Sequence, residues 1–492
     1  MRRSDLWLVA GLAGLALAIG ACSGGSQTPK PDTGVMDAPA QVDTPADMPS
    51  STDTPVGEDA APDGGVEDAA PGDTAPPTDG PTIECAPVPT GGPTPAGTAP
   101  QQAAGPTVAS TATRPELSDQ AAGDYTIRKA LAQGYVINGG MAPDGGAGPV
   151  TYSLNDNWDP LTNGIGDPAT FTPMFTVAAD GSGTHMDFRT VFAEANALGT
   201  CSRVYIRVKA GVYRGPGVVV PSKTSAPPIT LYSTESDATK TVIVNNLAEA
   251  TAGNMSNSAV FTVKAVRGFQ MKNITVANDY AETGDPGGES AVAMLLQSDQ
   301  AQFENVRFLG NIGTLYVKSA SETIAARSYF RDCYIEGDQD FIVGRGTAVF
   351  DHCEVKVLSG RKATGAVIGY PSTLVFNRYG FLFDSCTFTA ETGASAASLA
   401  RQWVEQSDTV ATRGLAVGKM IVRNSTLGAH LAGAAPWSSM GARTSTPKAP
   451  DPDGGVPTVV YTSDDYFPAG VGPAPAEPFL GEYRNAGPGA HQ

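Results

Sequence analysis

Histidine and cysteine, the residues that most often hold transition metals, are scarce in this sequence. Its 492 residues contain four His and six Cys. The cysteines include no C-x-x-C pair and stand at positions 22, 85, 201, 333, 353 and 386. Structural zinc sites depend on closely spaced ligands of these two types. We therefore expect a protein without a metal site or a cofactor.

Three other features are missing. There is no basic run, and the formal net charge is −18, which argues against nucleic acid as a partner. There is no G-x-S-x-G nucleophile elbow, so a serine hydrolase has little support. The apolar run at residues 6–19 is too short to span a bilayer.

The first 22 residues have the layout of a secretory signal, with two arginines, the apolar run and small residues before Cys22. The sequence I-G-A-C at residues 19–22 resembles a bacterial lipobox. This resemblance implies cleavage before Cys22 and a diacylglycerol on its sulfur; an ordinary secretory signal with an incidental cysteine is the alternative. The residue after the cysteine is Ser23 and not Asp, which by analogy with lipoprotein sorting favours the outer membrane. We therefore expect a lipid-anchored protein at the cell surface or on the periplasmic side of that membrane.

Residues 23–114 read as an acidic tether. Pro, Ala, Asp, Gly and Thr dominate this segment, and residues 23–100 carry thirteen acidic residues against one lysine. Such a composition buries too little apolar surface to offset the entropy of ordering. Self-repulsion between the acids extends the segment. The remaining chain is long enough for one large domain.

A six-residue pattern recurs in the second half of the chain: apolar, variable, polar, small or β-branched, variable, apolar. Its copies begin at Met271, Phe303, Phe330, Phe350, Phe383 and Val422. We interpret each copy as one short strand, and the spacing of 20 to 39 residues leaves no room for βαβ units. The pattern predicts an all-β fold, a parallel β-helix with loops of unequal length.

Stacked coils would place equivalent side chains about 4.8 Å apart. The fourth position of the pattern then forms an inward ladder, which consists of Ile274, Val306, Cys333, Cys353, Cys386 and Ser425. Cysteine here is first a small buried hydrophobe. Cys333 and Cys353 come near enough for a disulfide in an oxidising compartment, although parallel neighbours seldom offer the required torsion. Both the bridged and the free form stay open.

An amphipathic helix is predicted ahead of the first coils. Asp187 is a suitable N-cap, and Gly199 a suitable stop. Four apolar residues share one face of this helix, namely Phe188, Val191, Phe192 and Ala195. We expect it to cover the open N-terminal end of the β-helix.

Five segments, in order, resemble the pectin methylesterase (pectinesterase) family of carbohydrate esterases. They are residues 177–191 (opening V-A-A-D-G-S-G), 208–213 (V-K-A-G-V-Y), 337–344 (G-D-Q-D-F-I-V-G), 399–403 (L-A-R-Q-W) and 482–490 (E-Y-R-N-A-G-P-G-A). The resemblance implies a right-handed, pectin lyase-like parallel β-helix over residues 171–492. Residues 115–170 would be an N-terminal extension packed on it. The anchor and tether suggest the lipoprotein branch of the family.

The resemblance also implies a site. The family hydrolyses methyl esters of galacturonan, or pectin, with one carboxylate as nucleophile, a second as acid and base, and glutamines that hold the oxyanion. By position, Asp340 is the nucleophile, Arg401 orients it, and Trp403 offers a flat surface to a sugar ring. The plainer alternatives are a turn carboxylate, a surface salt bridge and a core aromatic. A monomer that needs no cofactor is expected.

Three positions depart from the family pattern. Ser290 and Ile312 stand where oxyanion glutamines are expected, and Gly313 replaces the acid/base aspartate. Asp338, two residues before Asp340 and so on the same face of a strand, is a possible substitute acid/base; it is otherwise a residue that shapes the turn. Gln339, Ser290 and His352 are further possible donors or bases, with His352 more readily structural. Restoring Ile312→Gln and Gly313→Asp is expected to raise the rate.

Three functions follow from this combination. The first is a carbohydrate esterase of pectin methylesterase type. The second is a catalytically lapsed surface lipoprotein that still binds glycans. The third is an esterase or thioesterase of shifted specificity, which the replaced glutamines permit.

Overall fold

A computed structural model describes the chain from Arg114 to Ala490 with gaps. The described residues are 114, 116–136, 150–153, 158–220, 226–264, 267–282, 289–319, 326–361, 364–373, 379–401, 403, 418–433, 437, 443–445, 459–461 and 480–490. All of them fall within one unit, Asp79–Gln492. The predictions for Cys22, for the signal and for tether residues 23–113 lie outside the described residues.

Short parallel strands stack into three sheets, because each coil of the chain contributes one strand to each sheet. Within the described residues, the first sheet has ten strands: Phe175–Val177, Val204–Val208, Ile229–Tyr232, Gln270–Lys272, Ala301–Glu304, Arg327–Arg331, Thr347–Asp351, Phe381–Asp384, Met420–Arg423 and Leu480–Tyr483. The second sheet has eight: Gly211–Arg214, Thr241–Asn245, Thr275–Asn278, Arg307–Leu309, Tyr334–Gly337, Glu354–Val357, Thr387–Ala390 and Thr426–Leu427.

The third sheet has seven strands in the part of the chain that the structure describes: Val218–Val220, Phe261–Lys264, Met294–Gln297, Leu315–Val317, Gln339–Gly344, Val367–Pro371 and Ser398–Ala400. Two antiparallel hairpins lie outside the stack, Gln133–Val136 with Val150–Ser153 and Arg443–Ser445 with Val459–Tyr461. The predicted all-β parallel β-helix is confirmed.

The recurring pattern marks a corner rather than a single strand, and our interpretation was wrong in this respect. Its first residues lie in the first sheet and its last in the second, as in Gln270–Lys272 and Thr275–Asn278. The polar third residue between them has a positive φ in all six copies: Asn273, Asn305, Asp332, His352, Ser385 and Asn424. A left-handed residue turns the chain sharply, and short polar side chains tolerate it best.

Aromatic rings stack inside the helix along the first sheet. The Phe303, Phe330, Phe350 and Phe383 side chains are fully buried and are register partners in successive strands. Their ring centroids are 4.8, 4.8 and 4.3 Å apart, with interplanar angles of 12° or less. Because the coils are parallel and in register, the rings stack at about the spacing of neighbouring strands.

The cysteine ladder lies beside these rings, and Cys333, Cys353 and Cys386 are buried, free thiols. The structure therefore favours the unbridged form. Burial raises the pKa of the Cys333 and Cys386 thiols. Cys201 is disulfide-bonded.

These three thiols are expected to resist alkylation in the native protein, because all three are buried and the core excludes the reagent. For Cys333 and Cys386 the raised pKa also disfavours the reactive thiolate. Mass spectrometric mapping after iodoacetamide treatment should find them unmodified in buffer and modified in guanidinium. Modification of Cys333 or Cys386 at the rate of a free thiol in buffer would contradict the buried ladder.

The helix Phe188–Ala197 covers the N-terminal end of the stack, as predicted. Asp187 caps it by accepting a hydrogen bond from the Thr190 amide at 2.9 Å. The four apolar residues of its inner face are buried, and the Phe192 ring meets Phe261 edge to face at 6.0 Å. Further short helices are Asp119–Ala122, Ile127–Leu131 and Glu249–Ala252, with 3₁₀ turns Pro168–Thr170, Ala238–Lys240, Ser256–Ser258 and Ala429–Leu431.

Residues 114–131 lie along the outer face of the first sheet. Their apolar side chains are Leu117, Ala122, Tyr125, Ile127, Ala130 and Leu131, and these pack on Tyr329, Val349, Leu382, Ile421 and Tyr483. Arg114, the last residue assigned to the tether, forms a two-bond ion pair with Glu482 at 2.8 and 2.7 Å. The ordered chain therefore includes Arg114.

Candidate active site

Asp340 lies in an irregular part of the third sheet. It follows Gln339, the first residue of strand Gln339–Gly344, where the register with the next strand shifts before Ile342. Its φ is 46°, in the left-handed region. Bulges and left-handed residues re-aim side chains and concentrate at functional sites. The Asp340 carboxylate is mostly buried, with 11% of its side chain exposed.

Arg401 holds this carboxylate from two coils away. It follows the strand Ser398–Ala400, and its Nε donates to Asp340 Oδ1 at 2.9 Å while its Nη2 donates to Oδ2. Burial alone would lower the pKa of Arg401, but the hydrogen bonds and charge of Asp340 raise it overall. A bidentate pair of this kind fixes the orientation of a carboxylate. The structure thus brings together the predicted nucleophile and its predicted partner.

Aromatic side chains line the surface beside the pair. Trp403 stacks on Tyr370, with ring centroids 5.3 Å apart and an interplanar angle of 18°. It also contacts Tyr316 at 5.9 Å, and the Arg401 guanidinium lies 4.7 Å from the centre of the Tyr370 ring. Trp403 is only half-buried. One ring face packs on protein, and the exposed remainder is suited to a sugar ring.

Comparison with known proteins assigns the chain to a family. The Pectinesterase family profile matches residues 174–427, a span that includes Asp340, Arg401 and Trp403. A pectinesterase from Ralstonia solanacearum is 39% identical over 354 residues, 67% of this chain and 85% of that protein. This chain belongs to the pectinesterase family. Pectinesterases are carboxylic ester hydrolases.

Solved structures agree with this assignment in fold. Rice weevil pectin methyl esterase is 24% identical, with a TM-score of 0.58 over 78% of this chain and all of that one. Escherichia coli YbhC is 24% identical, with a TM-score of 0.57 over 77% of this chain and 95% of that one. The curated description of YbhC is putative acyl-CoA thioester hydrolase; that comparison is 33% identical over 37% of this chain and 42% of YbhC. The right-handed parallel β-helix is confirmed.

The three departures from the pectinesterase pattern are structural features of this site. Ser290 and Ile312 are buried. Gly313 has a φ of 70°, and a Cβ added there would lie 2.5 Å from Met255 Cε. The end of the Met255 side chain thus occupies the space that an aspartate at position 313 would need, and it has to shift to admit one. Restoring Gly313→Asp with Ile312→Gln, from which we expect a higher rate, therefore depends on that shift.

Asp338 and Asp340 are held by different arginines. Arg361 Nε donates to Asp338 Oδ2 at 3.0 Å and its Nη2 to Oδ1, and the Asp338 side chain is fully buried. Simple strand alternation predicted a shared face, but the left-handed Asp340 breaks that alternation. This geometry favours the turn-shaping role of Asp338 over the acid/base role in this pectinesterase.

Glu282 is a residue that the sequence analysis missed. Its Oε1 accepts a hydrogen bond from the Ile312 amide at 3.2 Å, and its Oε2 lies 3.9 Å from Arg361 Nε. Burial raises the pKa of Glu282 to about 8, with a further increase from the charge of Asp338, while Arg361 opposes the rise. The pectinesterase site thus has, beside the altered positions, a buried carboxyl whose pKa lies above its ordinary value.

Replacing Glu282 with Gln is expected to flatten the pH dependence of stability. Between the ordinary pKa of 4.5 and the folded pKa of about 8, the unfolded chain releases a proton that the folded chain keeps. Stability should therefore fall as pH rises through this window, by a few kcal/mol, and level off above it. Urea unfolding at pH 5, 6.5 and 8 measures the slope. Glu354→Gln, at an exposed carboxyl, is the control; an unchanged slope in Glu282→Gln would contradict the raised pKa.

The last candidates are His352, as a donor or base, and side chains that could hold a metal ion. His352 is itself one of the left-handed corner residues, and its exposed ring pairs with Asp351 at 2.7 Å, which supports its structural role. Within the described residues, no group of three or more His, Cys, Asp or Glu side chains is arranged to hold a metal ion. The same residues also form no helix that is long and apolar enough to cross a membrane.

Proposed function

We propose that this pectinesterase hydrolyses methyl esters of galacturonan with Asp340 as nucleophile. The observation that carries the proposal is the Asp340 carboxylate held by Arg401 beside the partly exposed Trp403. The nucleophilic oxygen attacks the ester carbonyl, methanol leaves, and water hydrolyses the acyl-enzyme. Membership of the family supports the same reaction.

Methanol release from methylated pectin tests the proposal on the purified full-length protein. Release that Asp340→Asn abolishes supports it. Trp403→Ala should raise KM while changing kcat little, because the ring contacts the sugar and not the reacting carbon. Binding of pectin without methanol release would favour the lapsed glycan-binding protein.

A thioesterase is the second candidate, and the altered half of the site favours it. The two glutamines and the aspartate of the family pattern are replaced here by Ser290, Ile312 and Gly313. Met255 places an apolar side chain beside Gly313. YbhC, whose description is putative acyl-CoA thioester hydrolase, shares the fold. Hydrolysis of acyl-CoA with none of methylated pectin would establish this function instead.

We further propose that the protein is a lipid-anchored monomer of the lipoprotein branch, on the outer membrane. The lipobox-like residues 19–22 and the acidic segment after them support this proposal. Cys22→Ser should move the protein from the membrane to the soluble fraction, measured by cell fractionation and immunoblotting. Ser23→Ala, beside the same site, should leave it in the membrane. A Cys22→Ser protein that stays wholly in the membrane would rule out this anchor.

A further inference from the structure

A side-chain amide lies within hydrogen-bond distance of the proposed nucleophile. Gln339 Nε2 donates to Asp340 Oδ2 at 2.9 Å, and Gln339 is 4% exposed. Arg401 donates to both oxygens of the same carboxylate. The carboxylate therefore accepts hydrogen bonds from a cation and from a neutral, buried amide.

Gln339 also stands opposite one of the altered positions. It forms a β-bridge with Ile312 on the preceding coil. Ile312 is apolar, Gly313 has no side chain, and the Ser290 hydroxyl is shorter than an amide side chain. The amide at Gln339 is thus one strand spacing away from the residue at which the usual pattern was lost.

We propose that Gln339 donates the hydrogen bond that stabilises the oxyanion during ester hydrolysis. The inference rests on the proposed function, because it assigns Gln339 to the reaction at Asp340.

The chemistry of attack brings the oxyanion toward this amide. When Asp340 Oδ2 bonds to the ester carbon, the carbonyl electron pair moves to its oxygen, which is then attached to the same carbon as Oδ2. A donor already within reach of Oδ2 can follow the new charge by a small side-chain rotation. The intermediate then expels the methoxy group, which takes a proton from water. The hydroxide so formed attacks the acyl-enzyme and regenerates the carboxylate.

Arg401 is less suited to this role. Its Nε and Nη2 donate to Asp340, and its guanidinium packs over Tyr370. A buried amide also acts at low local dielectric, where a hydrogen bond to developing charge is stronger than in water. These features separate orientation of the nucleophile, by Arg401, from stabilisation of the oxyanion, by Gln339.

Gln339→Leu tests the proposal in the full-length protein. Removal of one oxyanion donor is expected to lower kcat by about 100-fold to 1,000-fold with little change in KM. Gln302→Leu is the matched control, because Gln302 is a buried amide that donates to a carboxylate, Glu304, on the first sheet. It should lose stability without a comparable loss of kcat.

The pH profile distinguishes an oxyanion donor from a residue that only tunes Asp340. Loss of an oxyanion donor lowers kcat equally at all pH values. Loss of a hydrogen bond to the carboxylate would instead move the acidic limb upward, so that higher pH would restore the rate. The double variant Gln339→Leu with Ile312→Gln moves the amide to the neighbouring position. Its kcat should be at least about tenfold higher than that of Gln339→Leu alone.

Three results would overturn the proposal. They are a Gln339→Leu protein with more than half the native kcat, a loss that disappears at high pH, and a relocated amide that recovers nothing. The first two leave the proposed function intact, since the native protein still releases methanol. A native protein that releases no methanol overturns both.

Discussion

Exchange of Asp340 for Asn is expected to lower methanol release by at least about 1,000-fold. Asn preserves the shape of the side chain and tolerates the left-handed backbone at this position, but its amide does not attack an ester. The decrease should appear in kcat. Initial rates on methylated pectin, measured as methanol, check it.

The Asp340→Asn change also affects stability, because the structure buries Asp340 against Arg401. Asn still offers one acceptor to Arg401, so we expect a small decrease in melting temperature. Asp384→Asn, which weakens an Asp–Arg pair with Arg423 on the first sheet, is the control and should keep full activity. Full esterase activity in Asp340→Asn would refute the nucleophile assignment.

The second large effect concerns Arg327, whose side chain is fully buried. Arg327 Nε and Nη2 donate to Asp299 at 2.9 and 2.7 Å, and Nη1 donates to the Leu131 carbonyl at 2.7 Å. Its guanidinium also lies 5.1 Å from the centre of the Trp158 ring. Arg327→Met should lower the free energy of unfolding by about 3–5 kcal/mol, because it leaves the buried Asp299 charge without its two-bond partner, while Arg267 Nε lies 4.0 Å from it.

Chemical denaturation measures this loss of stability. Two further variants serve as a control and as a test of the charge pairing. Arg484→Met removes an ion pair with Asp119 in which both side chains are largely exposed, and should change stability little. Arg327→Met with Asp299→Leu removes both charges and should recover much of the loss. An Arg327→Met protein as stable as the native one would show that the buried Arg327–Asp299 pair does not stabilise the fold.

The repeated pattern was sufficient to predict the β-helix but not the path of each coil. Alternation of apolar and polar residues reads the same across a straight strand and across a corner with one left-handed residue. The six corner residues are of four types, Asn, Asp, His and Ser, so no single residue type marks them. The ladder positions were nevertheless predicted correctly, because equivalent positions face inward whatever the local path.

Some residues of the candidate site could be predicted from the sequence, and others could not. Asp340, Arg401 and Trp403 were predicted because each belongs to a short, distinctive segment. Glu282 was not predicted, because its contacts with Ile312 and Arg361 cross coils whose turns differ in length. The contact between Met255 and position 313 has no sequence signature, because Met255 lies before strand Phe261–Lys264, two strands before Leu315–Val317 in the third sheet.

Residues 114–131 run lengthwise across the coils rather than along them. Arg114 binds Glu482 on the last strand of the first sheet, and Leu131 binds Arg327 four strands earlier. In a stack where each coil contacts only its neighbours, the end coils can fray independently. Residues 114–131 contact five successive strands of the first sheet. They therefore couple the unfolding of the last coil to the unfolding of the middle coils. The C-terminal half should therefore unfold as one cooperative block.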